Sequence, residues 1–393
     1  MENQLIIGID VGKRWHVAVV EGKRKPFRFS QNAEGFKALE KWVGEIGKGQ
    51  APQIGIEPTG KFFRILGDHI VSRGWKVQII PGLYTKRAKY LLNNSSLKTD
   101  AVDAMVIADL VKQGKGWEYR PQAQAFDELR QLSFLYSKLA LDRNIQQNRF
   151  HTTLDDIFPE VTELLDVRRR TLREVIKRWP TPDDIQSAGL DAVTRFVWEV
   201  SRGTEKKADQ LYALACKSVG RPSVAAVHEL QVACRAMDSL EQDIKEVESL
   251  MTAWLSTIEY ADALLTVPGL SHLAVGILLG QLGDLRLYAS VKQVYKMAGL
   301  NLVEYSSGQF QSRPRISRHG KAMIRRLLWP SAVLMTKPTH PLHSWYQQQV
   351  ASKAKKVVFV SGMRKILRWA LAMARSGEPF NISRLSAQAL QPC

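Results

Sequence analysis

Cysteine is scarce in this sequence, and long apolar runs are missing from it. The three cysteines, Cys216, Cys234 and Cys393, are scattered and form no CxxC pair, which argues against a disulfide framework and against a cysteine zinc site. No apolar run reaches the ~18 residues that a membrane-spanning helix needs. The first residues, MENQLIIGID, lack the basic leader and long apolar core of a signal peptide. These absences predict a cytoplasmic protein without a membrane partner.

Positive charge, by contrast, is in excess. Lys and Arg number 56 against 38 Asp and Glu, which gives the 393-residue chain a net charge of +18. Such a surplus favours a polyanionic partner through plain electrostatics, and nucleic acid is the first candidate. The length and the hydrophobic content of 45% allow more than one buried core, so we expect two or three domains.

The N-terminal part predicts a mixed α/β sheet. Three short β-rich runs come first, LIIGIDVG, WHVAVVEG and PFRFS, followed by PQIGIEPTG and KVQIIPG with helical stretches between them. Strands that alternate with helices indicate a layered α/β domain, which we place at residues 1–118.

The rest of the chain predicts helices. Residues 126–157 and 224–255 carry apolar side chains at steps of three and four, typical of a coiled-coil hairpin or, equally, of two packed helices in a bundle. We place this coiled-coil middle at 119–257, with a small helical insertion at about 158–223. A mostly α-helical domain follows at 258–393.

Four acidic residues stand where the predicted elements can bring them together. Asp10 ends the first apolar strand, and Glu57 ends the strand in QIGIEPTG. Asp100 and Asp103 are three residues apart in LKTDAVDAMVIADLV, so on a helix their side chains are neighbours, and Thr99 is predicted to cap that helix. Taken singly, each acid is explained as well by a turn or a solvated helix face. Together, in a basic chain, they indicate one shared site.

Carboxylates that meet at one point need a counter-charge. Unpaired, they raise one another's pKa, whereas a bound divalent cation reverses that preference. Oxygen-only ligands suit Mg²⁺ or Mn²⁺ better than Zn²⁺, and two such ions ~3.5 to 4 Å apart can clamp the attacking and leaving oxygens of a phosphodiester. We therefore predict that Asp10, Glu57, Asp100 and Asp103 are catalytic residues that bind Mg²⁺ (or Mn²⁺).

A second candidate lies in the segment AGLNLVEYSSGQFQSRPRISRHGK. Ser306 and Ser307 stand in a small polar turn, and basic residues surround it. Arginine side chains bind phosphate oxygens and stabilise charge in a transition state, so a hydroxyl here is suited to attack a phosphate. By the residues alone, an ordinary loop or a DNA-backbone patch is the commoner explanation. The predicted nucleic-acid-binding residues are Arg313, Arg315, Arg318, Lys321, Arg325, Arg326, Lys355 and Lys356.

Several motifs carry a family resemblance. GIDVGK, IEPTG and LKTDAVDA, in this order and at these separations, resemble the RuvC-like, RNase H-fold catalytic domain of the DEDD transposases of the insertion sequence 110 family, which are bridge RNA-guided recombinases. LLTVPGLSHLAVGILLGQLGD, YKMAGLNLVEYSSGQF and RISRHGKAMIRRLLW resemble that family's C-terminal transposase domain. The central insertion matches the family poorly.

The resemblance implies a mechanism and partners. The family's nucleophile is a serine that forms a phosphoserine with a DNA strand, and it aligns best with Ser307, with Ser306 as the runner-up. The implied partners are a non-coding bridge RNA, donor and target DNA, and further copies of the chain, as a dimer and as a tetramer in the synaptic complex. The implied location is the bacterial cytoplasm, at the nucleoid.

Two other functions stay open. One is a RuvC-like, metal-dependent nuclease that cuts branched DNA with activated water and forms no covalent intermediate. The other is a catalytically silent nucleic-acid-binding protein, in which the four acids only cap helices and pair with cations.

Overall fold

The computed structural model describes residues 4–60, 62–92, 99–201, 205–304, 306–307, 310–311 and 314–381. Within the chain two compact units form, Met1–Gln122 and Ala123–Cys393. Arg313 and Cys393 lie outside the described residues, and of Ser306 and Ser307 only the backbone is described.

The first unit is built on a six-stranded sheet. Its strands are β1 (Ile6–Val11), β2 (Trp15–Val20), β3 (Phe27–Ser30), β4 (Gln53–Ile56), β5 (Lys76–Ile79) and β6 (Trp117–Glu118). The order is β3-β2-β1-β4-β5-β6: the first three strands form an antiparallel meander, β4 and β5 run parallel to β1, and β6 is antiparallel to β5. The predicted mixed sheet is therefore confirmed, with the short β6 as an addition.

Helices cover both faces of this sheet. They are α1 (Ala33–Gly47), α2 (Phe62–Ser72), α3 (Gly82–Leu92) and α4 (Asp100–Lys112). One core contains buried Ile7 and Ile9 with Leu39 of α1 and Leu66 of α2. Strand residues alternate in direction, so the neighbouring positions of β1 face α4 instead.

The close packing of α4 on β1 depends on Gly8. A Cβ atom there would lie 2.0 Å from the carbonyl oxygen of Ala104 and 2.5 Å from the amide nitrogen of Ala108. Only glycine leaves the room for the helix backbone to lie directly against the strand. The first turn of α4 is thereby brought near the end of β1.

The second unit is mostly helical, as predicted. Its helices are α5 (Gln124–Ile157), α6 (Val161–Leu164), α7 (Arg170–Arg178), α8 (Pro182–Ala188), α9 (Leu190–Ser201), α10 (Glu205–Ala215), α11 (Val224–Leu255), α12 (Ala261–Leu265), α13 (His272–Leu282), α14 (Val291–Ala298), α15 (Ala322–Leu334), α16 (His343–Val350) and α17 (Lys355–Ser376), with a 3₁₀ helix at Leu285–Leu287. Among the described residues of this unit, four two-residue strands interrupt the helices: β7 (Leu302–Val303), β8 (Ser306–Ser307), β9 (Phe310–Gln311) and β10 (Arg315–Ile316).

The long helices α5 and α11 connect two separate cores. Leu129 and Met251 belong to the core shared with the C-terminal helices, whereas Phe150 and Leu230 belong to the core of the insertion. The two helices therefore run in opposite directions. In the insertion core, the Arg173 guanidinium donates hydrogen bonds of 2.8 and 2.7 Å to Glu241, which fastens α7 to α11. In the described part of the chain, no helix is long and apolar enough to cross a membrane.

Candidate carboxylate site and serine hairpin

Asp10 and Glu57 lie at the same ends of neighbouring parallel strands: Asp10 is the fifth residue of β1, and Glu57 directly follows β4. Ile9 pairs with Ile56 in the β1–β4 register, so Asp10 and Glu57 come next at the same edge of the sheet. Asp10 pairs with Val17 of β2, and Val17 packs with Ala104 of α4. Asp10 thus lies on the face of the sheet that α4 covers.

Asp100 and Asp103 lie in the first turn of α4. The Thr99 hydroxyl accepts a hydrogen bond of 3.3 Å from the amide of Val102, which confirms the predicted N-cap. Acidic side chains in a first turn are favoured by the positive end of the helix dipole. The Gly8 contact holds this turn beside the end of β1, where Asp10 stands.

The other three acids affect the pKa of Asp10. Burial raises the pKa of the Asp10 carboxyl from 3.8 to about 6, and the negative charges of Asp103, Asp100 and Glu57 contribute to that rise. Like charges act on a pKa in this way only at short range. All four predicted acids therefore stand in one electrostatic neighbourhood.

Helix α3 supplies two contacts that the sequence did not lead us to predict. The Lys89 ammonium forms an ion pair with Oδ1 of Asp103 and lowers the pKa of Asp10. At the other end of the helix, a Cβ atom on Gly82 would lie 2.7 Å from Oε1 of Glu57. Which cation of α3 faces the acids depends on how the helix packs, and in the structure it is Lys89.

The donor set of this carboxylate site suits a hard divalent cation. It contains only carboxylate oxygens, and their mutual repulsion on Asp10 is what such a cation would relieve. Among the residues that the structure describes, however, no three His, Cys, Asp or Glu side chains converge closely enough to hold a metal ion. Metal binding by these four acids stays a prediction that the donor chemistry fits.

Ser306 and Ser307 form a strand of a small hairpin. β8 pairs with β9, with Ser306 opposite Gln311 and Ser307 opposite Phe310, while β7 pairs with β10. Because β8 and β9 fall between β7 and β10 in the chain, the hairpin extends from the β7–β10 ribbon. The sequence indicated a polar turn here, whereas the structure places Ser306 and Ser307 in a strand.

Backbone hydrogen bonds fasten the base of this ribbon. The amides of Ser317 and Lys321 donate to the carbonyl oxygens of Asn301 (2.8 Å) and Met297 (2.8 Å). Nη1 of Arg325 donates a 2.9 Å hydrogen bond to the carbonyl oxygen of Ala298, the last residue of α14. Arg325, predicted as a nucleic-acid contact, thus caps a helix in this structure.

Three of the predicted cations lie close together, and the predicted set differs in exposure. Burial and the neighbouring Arg318 and Arg326 charges lower the pKa of the Arg325 guanidinium, so these three arginines stand close together. Arg318 has a φ of 56°, an unusual backbone conformation for a residue with a side chain. Such a cluster of like charges favours a bound anion. The exposed members of the predicted set are Arg315, Arg318, Arg326, Lys355 and Lys356, and Lys321 is partly buried.

Comparison with known families covers both candidate regions. Residues 7–159 match a family model described as a transposase, of the DEDD class of IS110, and residues 261–347 match a model described as the transposase IS116/IS110/IS902 family. The first match includes all four acids and the second includes Ser307. Residues 160–260, with the insertion, fall between the two matches.

Individual relatives extend over most of the chain. A 43.6 kDa protein of insertion element IS110 from Streptomyces coelicolor is 24% identical over 80% of this chain and 79% of its own length. The pilin gene-inverting protein of Moraxella bovis is 21% identical over 95% and 97%. The transposase for insertion sequence element IS1328 of Yersinia enterocolitica is 29% identical over 36% of this chain and 43% of its own.

Proposed function

Because this chain belongs to the IS110 family of transposases, we propose that it is a bridge RNA-guided DNA recombinase that works through a phosphoserine intermediate. Membership of the family makes it a DNA-processing enzyme. The observation that carries the proposal is the gathering of Asp103, Asp100 and Glu57 around Asp10, at the end of the central strand of the sheet. The name of the pilin gene-inverting relative supports strand exchange over cleavage alone.

We assign the first unit a RuvC-like, RNase H-type fold. Three antiparallel strands followed by two parallel ones, with an acid near the end of β1 and another directly after β4, support this assignment. The three-part division at residues 118 and 257 is part of the same proposal.

The chemistry divides between the acids and the serine. Held by Asp10, Glu57, Asp100 and Asp103, Mg²⁺ (or Mn²⁺) would neutralise charge on the phosphate and lower the pKa of an attacking hydroxyl. The Ser307 oxygen forms a bond to phosphorus as one backbone phosphorus–oxygen bond breaks, and the leaving strand end takes up the proton as a free hydroxyl. Attack by the hydroxyl end of the exchanged strand then releases the serine.

The partners follow from the same proposal. Arg313, Arg315, Arg318, Lys321, Arg326, Lys355 and Lys356 contact phosphates of donor and target DNA or of the bridge RNA, whose base pairing selects the sequence. The net charge of +18 supports such polyanionic partners. We further propose that the chain acts as a dimer that pairs into a tetramer at synapsis, on nucleoid DNA in the bacterial cytoplasm.

The test captures the covalent intermediate. Ser307→Ala and Ser306→Ala are each incubated with bridge RNA, Mg²⁺ and nicked donor DNA that traps the protein on the strand, and the products are separated by denaturing electrophoresis. We expect Ser307→Ala to lose the protein–DNA adduct by more than about 100-fold, as for other nucleophile removals, while Ser306→Ala retains it. Asp10→Asn, which removes one of the four carboxylates, should also lose the adduct.

Three results would contradict parts of the proposal. Adduct formation by Ser307→Ala but not Ser306→Ala would move the nucleophile by one residue. Unchanged DNA cleavage in both serine variants would replace the recombinase by a nuclease that uses water. Unchanged activity of Asp10→Asn would leave a binding protein without catalysis at this site.

A further inference from the structure

Helix α3 touches the carboxylate site at two points. Its first residue, Gly82, lies against the Glu57 carboxylate, and Lys89, two turns later, forms an ion pair with Asp103. A spacing of seven residues returns a helix to nearly the same face. One face of α3 therefore extends along the cluster from Glu57 to Asp103.

Both points of contact bring positive charge. The start of a helix carries roughly half a positive elementary charge, and at α3 this end lies beside Glu57. Thr85, a buried residue of the same helix, donates a 3.0 Å hydrogen bond from its hydroxyl to the carbonyl oxygen of Gly82 within that first turn. At the other end, the ammonium of Lys89 supplies a full charge.

The Lys89–Asp103 ion pair is partly shielded from water. The Asp103 side chain is 14% exposed and that of Lys89 30% exposed, so the attraction between them is less screened than in a surface pair. Lys89 also acts on Asp10, whose pKa it lowers. The ammonium is thus among the acids and interacts with more than one of them.

We propose that α3 is the built-in counter-charge of the carboxylate site, and that Lys89 competes with a divalent cation for Asp103. The competition with a divalent cation rests on the function proposed above. While Lys89 holds Asp103, that carboxylate is directed to an ammonium and not to a point shared with Asp10 and Glu57. This accounts for the lack of three converging carboxylates among the described residues.

The competition has a definite sign. An incoming divalent cation is repelled by the fixed charge of Lys89 and must also break the ion pair before Asp103 can become a ligand. Removing the charge of Lys89 removes both obstacles. A neutral residue at position 89 should therefore strengthen cation binding, and arginine should preserve the weaker binding of the natural protein.

The experiment measures binding of Mn²⁺ alone to the full chain, without DNA, by electron paramagnetic resonance, and thermal unfolding with and without Mn²⁺. We expect Lys89→Met to bind Mn²⁺ tighter on the order of tenfold, the effect of one nearby charge of like sign. Its midpoint of unfolding should fall in EDTA and rise more on adding Mn²⁺ than that of the natural protein. Lys89→Arg should match the natural protein, and so should Lys86→Met, which removes an exposed cation from the same helix.

The outcomes separate this inference from the proposed function. Asp10→Asn identifies the Mn²⁺ bound at the acids: if it binds as the natural protein does, the metal site and the counter-charge role fall together. If Asp10→Asn loses Mn²⁺ while Lys89→Met binds it no tighter, the metal site stands and the role of Lys89 is wrong. Should Lys89→Met fail to fold, Lys89→Gln provides the same neutral test with a polar side chain.

Discussion

Asp10 and Ser307 both lie near the end of a β-strand, yet the two strands are built differently. β1 lies inside a six-stranded sheet, paired on both sides and covered by α4 through the Gly8 contact. β8 is two residues long and pairs with β9 in a separate two-stranded sheet. The acids are therefore positioned by a hydrophobic core, whereas the serine hairpin relies on a few hydrogen bonds at the base of its ribbon. A substitution in the core around β1 should therefore lower the free energy of unfolding strongly, and one in the serine hairpin should lower it little.

The largest expected effect is at Gly8. In Gly8→Val the new side chain collides with the backbone of Ala104 and Ala108, and we expect the free energy of unfolding to fall by about 3 kcal/mol or more. The control is Gly44→Ala, at a helical glycine where a Cβ atom meets nothing within 4 Å; it should gain about 0.5–1 kcal/mol. Urea unfolding followed by circular dichroism measures both, and equal stabilities would refute the role of Gly8.

The pH dependence of stability tests whether burial and the neighbouring acids raise the pKa of Asp10. The pKa of Asp10 is raised from 3.8 to about 6 in the folded state, so between these values the folded protein holds a proton that the unfolded chain releases. The stability present below about pH 4 is then partly lost as pH rises through about 6. Because Asp10 is only partly buried, we expect the loss to be about 1–2 kcal/mol and not the full shift.

The measurement is urea unfolding in EDTA across this range for the natural protein and for Asp10→Asn. The variant cannot titrate at position 10, so its stability should exceed that of the natural protein by a margin that grows from pH 4 to pH 6.5 by about 1–2 kcal/mol. Parallel curves for the two proteins would mean that neither burial nor the other three acids raise the pKa of Asp10 in the folded protein.

The smallest effect is expected at the base of the serine ribbon. Arg325→Ala loses the hydrogen bond to Ala298 and should destabilise the protein by about 1 kcal/mol. The matched change is Arg326→Ala, at the exposed neighbour, which should leave stability within about 0.5 kcal/mol and weaken DNA binding. Thermal unfolding and a DNA-binding titration distinguish them. If Arg325→Ala were the variant that loses only DNA affinity, its role as a helix cap would be wrong.

Local patterns in the sequence were enough for much of the first unit. Apolar β-rich runs predicted its strands because the spacing of the apolar residues shows which side chains of a strand fill the core. The Thr99 cap could be predicted because Val102, whose amide it accepts from, lies only three residues away. The serine hairpin was missed as a hairpin, because strands of two residues carry no periodic signal. Arg325 was expected to contact phosphate. Its hydrogen bond to the end of α14 could not be predicted, because the β7–β10 ribbon separates the two residues in the chain.

The sequence by itself determined the element types, the excess of positive charge and the four acids at the ends of elements, since these follow from residue identity and short-range spacing. Only the tertiary structure decided that α4 lies directly on β1, that three acids act on Asp10, and that Lys89, among the cations of α3, meets Asp103. These outcomes depend on which faces pack together, and packing is set by contacts between residues far apart in the chain.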